Sequence, residues 1–328
     1  VPGGPDTLEW TDLPRPALGE GEVRVSVRAV GLNATDLLMM RDRYQDKVAR
    51  PYSPGGEIAG VVEALGDGVD GLAVGDRVVA ILGSGGLREE VVLAGTDAIP
   101  IPDGVSFEEA SVLPIAYASA LHALRDRARL SAGEQVLVLG ASAGIGLASV
   151  QIATRLGAKV VAACSTTDKV ETALEQGAVR GVVYGGGDEP PDRRELRRLL
   201  AEAVGANGAD VVVDPVSGDL ADPAARTLSL GGRFVLVGFA AGVGVLPNNV
   251  VLVKRAEVLG SALGEHLKAH PEHLRTLLGQ LFDWCVEGTL RPSITSVIPL
   301  GEAARGLDLL DRRAITGKIV VQLGELNP

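Results

Sequence analysis

Two periodicities divide this chain. From Glu22 to Arg28 apolar and polar residues alternate (Glu-Val-Arg-Val-Ser-Val-Arg), the period of a strand with one face buried. Gly and Pro punctuate the region closely, at Pro51, Pro54, Gly55, Gly56, Gly60, Gly66, Gly68, Gly71 and Gly75. Many turns between short Val-rich runs predict a β-rich, barrel-like domain reaching to about residue 115. The pattern then changes. Val136–Leu139 is wholly apolar, a buried strand, and a helical pattern follows from Gly144 to Gly157. Strands are expected at Lys159–Cys164, Val179–Tyr184, Ala209–Asp214, Arg233–Phe239 and Val258–Leu263. Helices are expected at Asp168–Gln176, Arg193–Val204 and Asp219–Leu228. This alternation predicts βαβ units on a parallel, doubly wound sheet. Gly185–Pro191 reads as a loop, because the alternation resumes after it. The last stretch offers a helix, a strand at Ile294–Pro299, a helix and a strand at Lys318–Gln322. It is too short for a domain of its own and is expected to return to the β-rich one. There is no internal repeat.

The 328 residues suit two domains. Only 3% are aromatic, so Val, Leu, Ala and Ile must build the core, as buried parallel strands do. A net charge of −11 argues against generic nucleic-acid binding and against an anionic membrane surface. The apolar runs are too short to cross a bilayer, and Val1–Pro5 lacks the regions of a signal peptide. Cys164 and Cys285 lie too far apart to suggest a disulfide framework. The expectation is a cytoplasmic protein.

Gly140-Ala141-Ser142-Ala143-Gly144-Ile145-Gly146 follows a buried strand and opens a helix. Small residues there let the backbone approach a pyrophosphate, and the helix N-terminus supplies free N–H groups with positive potential. A short-chain dehydrogenase could also carry such a turn, but needs a Tyr-x3-Lys pair. The residues four after Tyr44, Tyr52, Tyr117 and Tyr184 are Val48, Gly56, Leu121 and Asp188, none a lysine. An NAD enzyme places an acid about twenty residues after the turn, on the ribose hydroxyl. Here Val160–Cys164 ends in Ser165-Thr166-Thr167, and Lys169 follows. Neutral hydroxyls and a cation suit a 2′-phosphate, hence NADP(H). Asp168 is expected to cap the next helix.

With these parts in this order, the chain resembles the medium-chain dehydrogenase/reductase superfamily, its quinone-oxidoreductase branch in particular, over essentially its whole length. The resemblance rests on Gly31-Leu32-Asn33-Ala34-Thr35-Asp36, on Pro54-Gly55-Gly56-Glu57-Ile58-Ala59-Gly60 with Gly66 and Val69, and on Val74-Gly75-Asp76-Arg77-Val78. Leu113 to Ala120 and Gly133 to Gln151 are similar to further family segments. It implies an α/β protein with a GroES-like β-barrel catalytic domain (1–117 and 264–328) and a Rossmann NADP-binding domain (118–263). It also implies further residues ahead of Val1, since the family begins with one more strand.

Departures from the family narrow the chemistry. The zinc-binding histidine of the alcohol dehydrogenases is Gly56 here, and the cysteine ligand is Gly31. Tetrahedral zinc needs three or four Cys, His or carboxylate ligands, so no zinc is expected. His266, His270 and His273 are spaced across Pro271, which breaks helical periodicity, and read as solvated surface residues. His122 reads as helix packing. The family's glycine at Ala143 is lost, which predicts a slightly displaced turn.

What remains is metal-free hydride transfer from NADPH to a quinone or another α,β-unsaturated carbonyl. By resemblance, Asn33 and Tyr44 line the nicotinamide and substrate site. Tyr44 either donates to the substrate oxygen or forms a wall in a loop, and Asn33 equally suits a turn residue bonding its own loop. A further family tyrosine is Leu38 here. Ser119, Ser142, Ala143, Gly144, Ile145, Gly146, Ser165, Lys169, Tyr184, Gly238, Phe239 and Lys318 are the expected cofactor contacts. Two alternatives stay open, an enoyl-thioester reductase and an NADPH-binding protein without catalysis. A homodimer through the edge strand Val258–Leu263 is expected by analogy.

Overall fold

The computed structural model describes residues 2–185 and 192–324. The chain divides into two units, one running up to Ile115 and resuming at Leu278, the other spanning Ala116–Leu277.

The first unit is built on a seven-stranded sheet. Its centre is β1 (Glu22–Gly31), which pairs antiparallel with β2 (Glu57–Leu65), β4 (Glu90–Ala94) and β13 (Lys318–Gln322). Beyond β2 lie β3 (Arg77–Ile81) and β5 (Ile99–Pro100), and beyond β13 lies β12 (Ile294–Pro299). The alternation read in β1 is its burial pattern: Val23, Val25, Val27 and Ala29 are all buried. The three valines join Ile58, Val62, Val78 and Leu93, and from the C-terminal segment Ile298, Leu307, Ile319 and Val321, in one core. The C-terminal segment returns to this unit by hydrogen bonds as well as by packing. Gly31 stands opposite Val320 of β13 on one side and Glu57 of β2 on the other. That register gathers Leu32, Asn33, Glu57 and Lys318 at one end of the sheet.

The second unit holds six parallel strands, β6 (Gln135–Leu139), β7 (Lys159–Cys164), β8 (Arg180–Val183), β9 (Ala209–Asp214), β10 (Leu228–Leu236) and β11 (Glu257–Gly260). Their order is β8-β7-β6-β9-β10-β11. The chain winds outward from β6 to β8, then returns to β9 and winds the other way. The reversal between β6 and β9 is the switch point at whose carboxyl ends open α/β sheets bind ligands. The helix Arg193–Val204 forms as its pattern predicts. Leu196, Leu200, Ala203 and Val204 fall on one helical face and are buried. Asp192 Oδ1 accepts the Glu195 amide at 2.8 Å to cap its start, and Gly205 at φ +75° ends it.

Several boundaries differ from those the sequence suggests. The helix expected at Asp219–Leu228 is a 3₁₀ turn, Gly218–Leu220, and a short helix, Ala221–Arg226. β10 stops at Leu236, because the Val237 and Gly238 amides turn to the Asp214 carbonyl. Gly238 and Phe239 therefore follow the strand. β11 stops at Gly260, and the helix Leu263–Ala269 takes over. That helix and the start of the next, Glu272–Val286, fall in the second unit and not with the C-terminal segment. The loop read at Gly185–Pro191 lies, after Gly185, outside the described residues. Among the described residues no helix is long and apolar enough to cross a membrane.

Candidate active site

The glycine turn has the geometry its composition suggests. Gly140 and Gly144 have φ of +60° and +50°, where side chains are strained. A Cβ on Gly146 would lie 2.1 Å from the Gly140 carbonyl oxygen. Only a glycine lets the first turn of the helix Gly144–Arg155 come so close to the end of β6. The N-cap is Ala143, which has no side-chain oxygen, so the leading amides of this helix lack a side-chain cap. Ala143 has φ −153° and ψ 162°, extended backbone open to any residue, so its methyl demands no displacement of the turn. Ser142 is buried, and Ala143, Gly144 and Ile145 are half-buried. Uncapped amides, a positive helix end and closely approached backbone fit a pyrophosphate.

Ser165 leaves the end of β7, and Lys169 Nζ donates to its hydroxyl at 3.3 Å. Cys164 pairs with Val183 on β8, so Tyr184, the next residue, stands beside Ser165, its amide on the Cys164 carbonyl at 2.9 Å. Asp168 does not cap the helix that follows. The helix is Thr167–Glu175, its N-cap is Thr166, and Asp168 is an exposed first-turn residue. The Thr166 Oγ1 atom is buried and has no hydrogen-bond partner. A buried hydroxyl left unmatched suits a ligand, and the sequence offered Thr166 only as one of the three hydroxyls Ser165–Thr167 suited to a 2′-phosphate. Burial pushes the Cys164 thiol up to about 11, which makes it inert at neutral pH.

At the end of β9, Asp214 was missed. Its Oδ1 accepts the Val216 and Ser217 amides at 2.9 and 2.6 Å, while its buried Oδ2 has no partner. Burial raises its pKa. The signal was available, an acid closing the aliphatic run Val211-Val212-Val213. Gly238 and Phe239 lie beside it. A Cβ on Gly238 would meet the Pro215 carbonyl at 3.1 Å, and Phe239 is 54% exposed. Ser119 is buried in the helix Ala118–Leu121.

In the first unit Asn33, Glu57 and Lys318 form one buried network. Lys318 Nζ donates to the Leu32 carbonyl at 2.8 Å, to Asn33 Oδ1 at 2.6 Å and to Glu57 Oε1 at 3.1 Å. Asn33 Nδ2 donates to Glu57 Oε1 at 2.8 Å and to the Gly31 carbonyl at 3.1 Å. Glu57 Oε2 accepts the Ile115 amide at 2.8 Å. All three donor protons of Lys318 and both of Asn33 thus have acceptors inside the protein. Asp36 holds the next turn, with its carboxylate on the amides of Asn33 and Gly55 at 2.8 and 3.0 Å, and burial pushes its pKa up to about 6. Tyr44 lies half-buried in the irregular segment after the helix Ala34–Met40, near Asp42, which Arg50 grips at 2.8 Å.

Gly31 and Gly56, the positions compared with zinc ligands of the alcohol dehydrogenases, supply no ligand atom from a side chain. A Cβ on Gly31 would lie 2.4 Å from the Ser111 carbonyl oxygen and 2.5 Å from Glu57 Oε1, which leaves no room for a cysteine ligand. Gly56 offers no donor side chain, and Glu57 is already bound to the Lys318 ammonium.

Of the three histidines expected at the surface, His270 is exposed, but His266 and His273 are half-buried and in contact. The break at His270-Pro271 folds two helices so that His266 and His273 meet, His266 Nε2 standing 2.6 Å from His273 Nδ1. Helical spacing was the wrong measure, because the contact is made across the break. His122, only 4% exposed, stacks on His266 with ring centroids 4.7 Å apart. Burial lowers the pKa of both His122 and His266.

Comparison with known proteins agrees with both halves of this description. Residues 19–103 match the family model described as "Alcohol dehydrogenase GroES-like domain", and residues 144–282 match "Zinc-binding dehydrogenase". The bovine (Bos taurus) "Quinone oxidoreductase-like protein 2" is 35% identical over 312 residues, 94% of this chain and 87% of that protein. This chain belongs to the medium-chain dehydrogenase/reductase superfamily. Within it, it is a quinone oxidoreductase-like oxidoreductase. The "Quinone oxidoreductase" of Rattus norvegicus is 31% identical, covering 98% of this chain and 95% of the rat protein. The quinone oxidoreductase of Thermus thermophilus, solved also as a complex with NADPH, is 34% identical with a TM-score of 0.81, over 96% of each chain. The fold is thus a GroES-like unit with a Rossmann sheet, as the sequence suggests.

Proposed function

We propose that this chain reduces quinones or other α,β-unsaturated carbonyls with NADPH, by hydride transfer that uses no metal. The observation that carries the reading is the end of β7, where no acid awaits a ribose hydroxyl. Ser165, the unpartnered Thr166 hydroxyl, Lys169 and Tyr184 gather there instead. The T. thermophilus relative's complex with NADPH supports it. In this reading the turn Ser142-Ala143-Gly144-Ile145-Gly146 holds the pyrophosphate, and Lys169 with its hydroxyl neighbours holds the 2′-phosphate. Gly238, Phe239 and Ser119 lie toward the nicotinamide. When bound, NADPH supplies the hydride. Developing negative charge on a carbonyl oxygen needs a donor, which we assign to the Tyr44 phenol. Asn33 and Lys318 have no donor proton to spare, so we assign them to positioning, with Lys318 holding the loop from beneath and not touching the dinucleotide.

The test is an initial-rate panel of a benzoquinone, a phenanthrenequinone, an enal and crotonyl-CoA with NADPH and NADH. Lys169→Ala removes a charge-assisted bond of about 1.5–3 kcal/mol, so the NADPH KM should rise roughly 10- to 100-fold while the NADH KM stays put. Equal use of both nucleotides by the unaltered chain would overturn the cofactor assignment. Turnover of crotonyl-CoA alone would point to a thioester substrate, and tight NADPH binding without any turnover to a binding protein.

We also propose a homodimer through β11. That strand is one of the two end strands of the Rossmann sheet, and Leu230, Leu252, Val253 and Val258 near it are exposed. Bare edges of this kind are usually paired or covered. Val258→Asp should shift the sedimenting species from dimer to monomer, and an unaltered chain that sediments as a monomer refutes the idea.

A further inference from the structure

All four histidines of the chain, His122, His266, His270 and His273, come together in the second unit. Three of them, His122, His266 and His273, can each offer a ring nitrogen within 4.8 Å of the others. We infer that this cluster is a binding site for a divalent transition-metal ion, with zinc its best fit, held by His122, His266 and His273 and oriented by Asp126.

The carboxylate sets the geometry. His122 Nδ1 and His273 Nε2 both lie 3.2 Å from the same atom, Asp126 Oδ2. A carboxylate between two imidazoles takes an N–H from each, which leaves His122 Nε2 and His273 Nδ1 as the lone-pair nitrogens. His273 Nδ1 already faces His266 Nε2 at 2.6 Å. Two ring nitrogens that close share either a proton or a cation. Imidazole ligands backed by a carboxylate on the far ring nitrogen are the usual construction of a zinc site. Asp126 is in turn fixed by Arg125 Nε, 2.7 Å from Oδ1.

The fit needs only side-chain movement. Nitrogens around a tetrahedral zinc stand roughly 3.4 Å apart, from bonds of about 2.0–2.1 Å. The 2.6 Å pair must open slightly, and the remaining spacings, all within 4.8 Å, must close by rotation of the imidazole rings. The backbone is shaped for the purpose on one side. His122–Arg127 is a π-helical stretch, a wound-out geometry that costs stability and recurs at functional sites. Two cations lie close, Arg125 on Asp126 and Arg127, whose Nε is engaged by the Gly260 carbonyl at 2.8 Å. Neutral imidazoles with one carboxylate offset them. Three nitrogens suit zinc, nickel or copper over the oxygen-seeking magnesium and calcium. None of its ligands stands at position 31 or 56, so it is not the catalytic zinc site of the alcohol dehydrogenases. Its task is a clasp, tying the broken helix pair to the helix that carries His122.

The test uses the tag-free full chain, stripped with a chelator and titrated with Zn²⁺ by calorimetry and with Co²⁺ by visible absorption. One saturable equivalent per chain, a four-coordinate Co²⁺ spectrum and a Zn²⁺-dependent rise in thermal midpoint are expected. His266→Gln and His273→Gln, both partly exposed, should each weaken Zn²⁺ binding at least 100-fold by order of magnitude, and Asp126→Asn about 10- to 100-fold. His270→Gln should leave binding within about threefold, and NADPH affinity should be unchanged in every variant, which controls for folding. Absence of saturable binding overturns the proposal. So does binding that survives both His266→Gln and His273→Gln, which is an adventitious ion only.

Discussion

Gly146→Ala is expected to abolish measurable NADPH binding. The added methyl would sit 2.1 Å from the Gly140 carbonyl oxygen and 2.8 Å from its carbon. Both are backbone atoms at the end of a buried strand, so neither can swing aside as a flexible side chain would. The helix start must move outward by about an ångström. Misplacement of that size costs on the order of 100-fold where several groups act together. Overpacking adds a stability loss of about 1–3 kcal/mol. Ala143→Gly is the matched control, because Ala143 sits in extended backbone and caps nothing. It should bind NADPH within about threefold of the unaltered chain, since only backbone entropy changes. Fluorescence titration of NADPH with a thermal melt separates the effects. Unimpaired binding by Gly146→Ala would remove the turn from the cofactor site.

The second large effect is expected at Lys318. Glu57 has no solvent exposure and Lys318 only 3%. Lys318→Met leaves a buried carboxylate whose Oε1 retains a single donor, the Asn33 carboxamide. Breaking a buried ion pair from one side costs about 3–5 kcal/mol, because the surviving charge is uncompensated. The double variant Lys318→Met with Glu57→Gln removes the charge as well and should recover part of that loss. A urea midpoint that falls for the single variant and rises again for the double one is the signature. If both fall equally, packing of the lysine stem and not charge is what the site requires.

Much of this was legible in the sequence, for local reasons. The helix Arg193–Val204 and the strands Ala209–Asp214, Ile294–Pro299 and Lys318–Gln322 emerge with the boundaries expected of them. Each carries a clear period or a clean apolar run, bounded by residues that cap or turn. Ends set by long-range hydrogen bonds were not legible. β10 stops where two amides turn to Asp214, a contact with another strand. The glycine turn was visible because its requirement is short-range, a backbone too close for a side chain. That Thr166 Oγ1 and Asp214 Oδ2 are buried without a partner was not legible, because it is a property of the folded surroundings. Lys318 was expected at the cofactor; its bonds to Asn33 and Glu57, set by the register of β13 against β1, were not legible. The histidine cluster is the clearest case. Proline was read as the end of a helical face, and it is the hinge that brings two rings together.

The division into two units also partitions the chain's natural probes. Both tryptophans, Trp10 and Trp284, belong to the GroES-like unit, and all four histidines belong to the Rossmann unit. Indole emission therefore follows the melting of one unit, and imidazole proton resonances follow the other, with no label added. If the units unfold in separate steps, the two signals will trace different curves from the same sample.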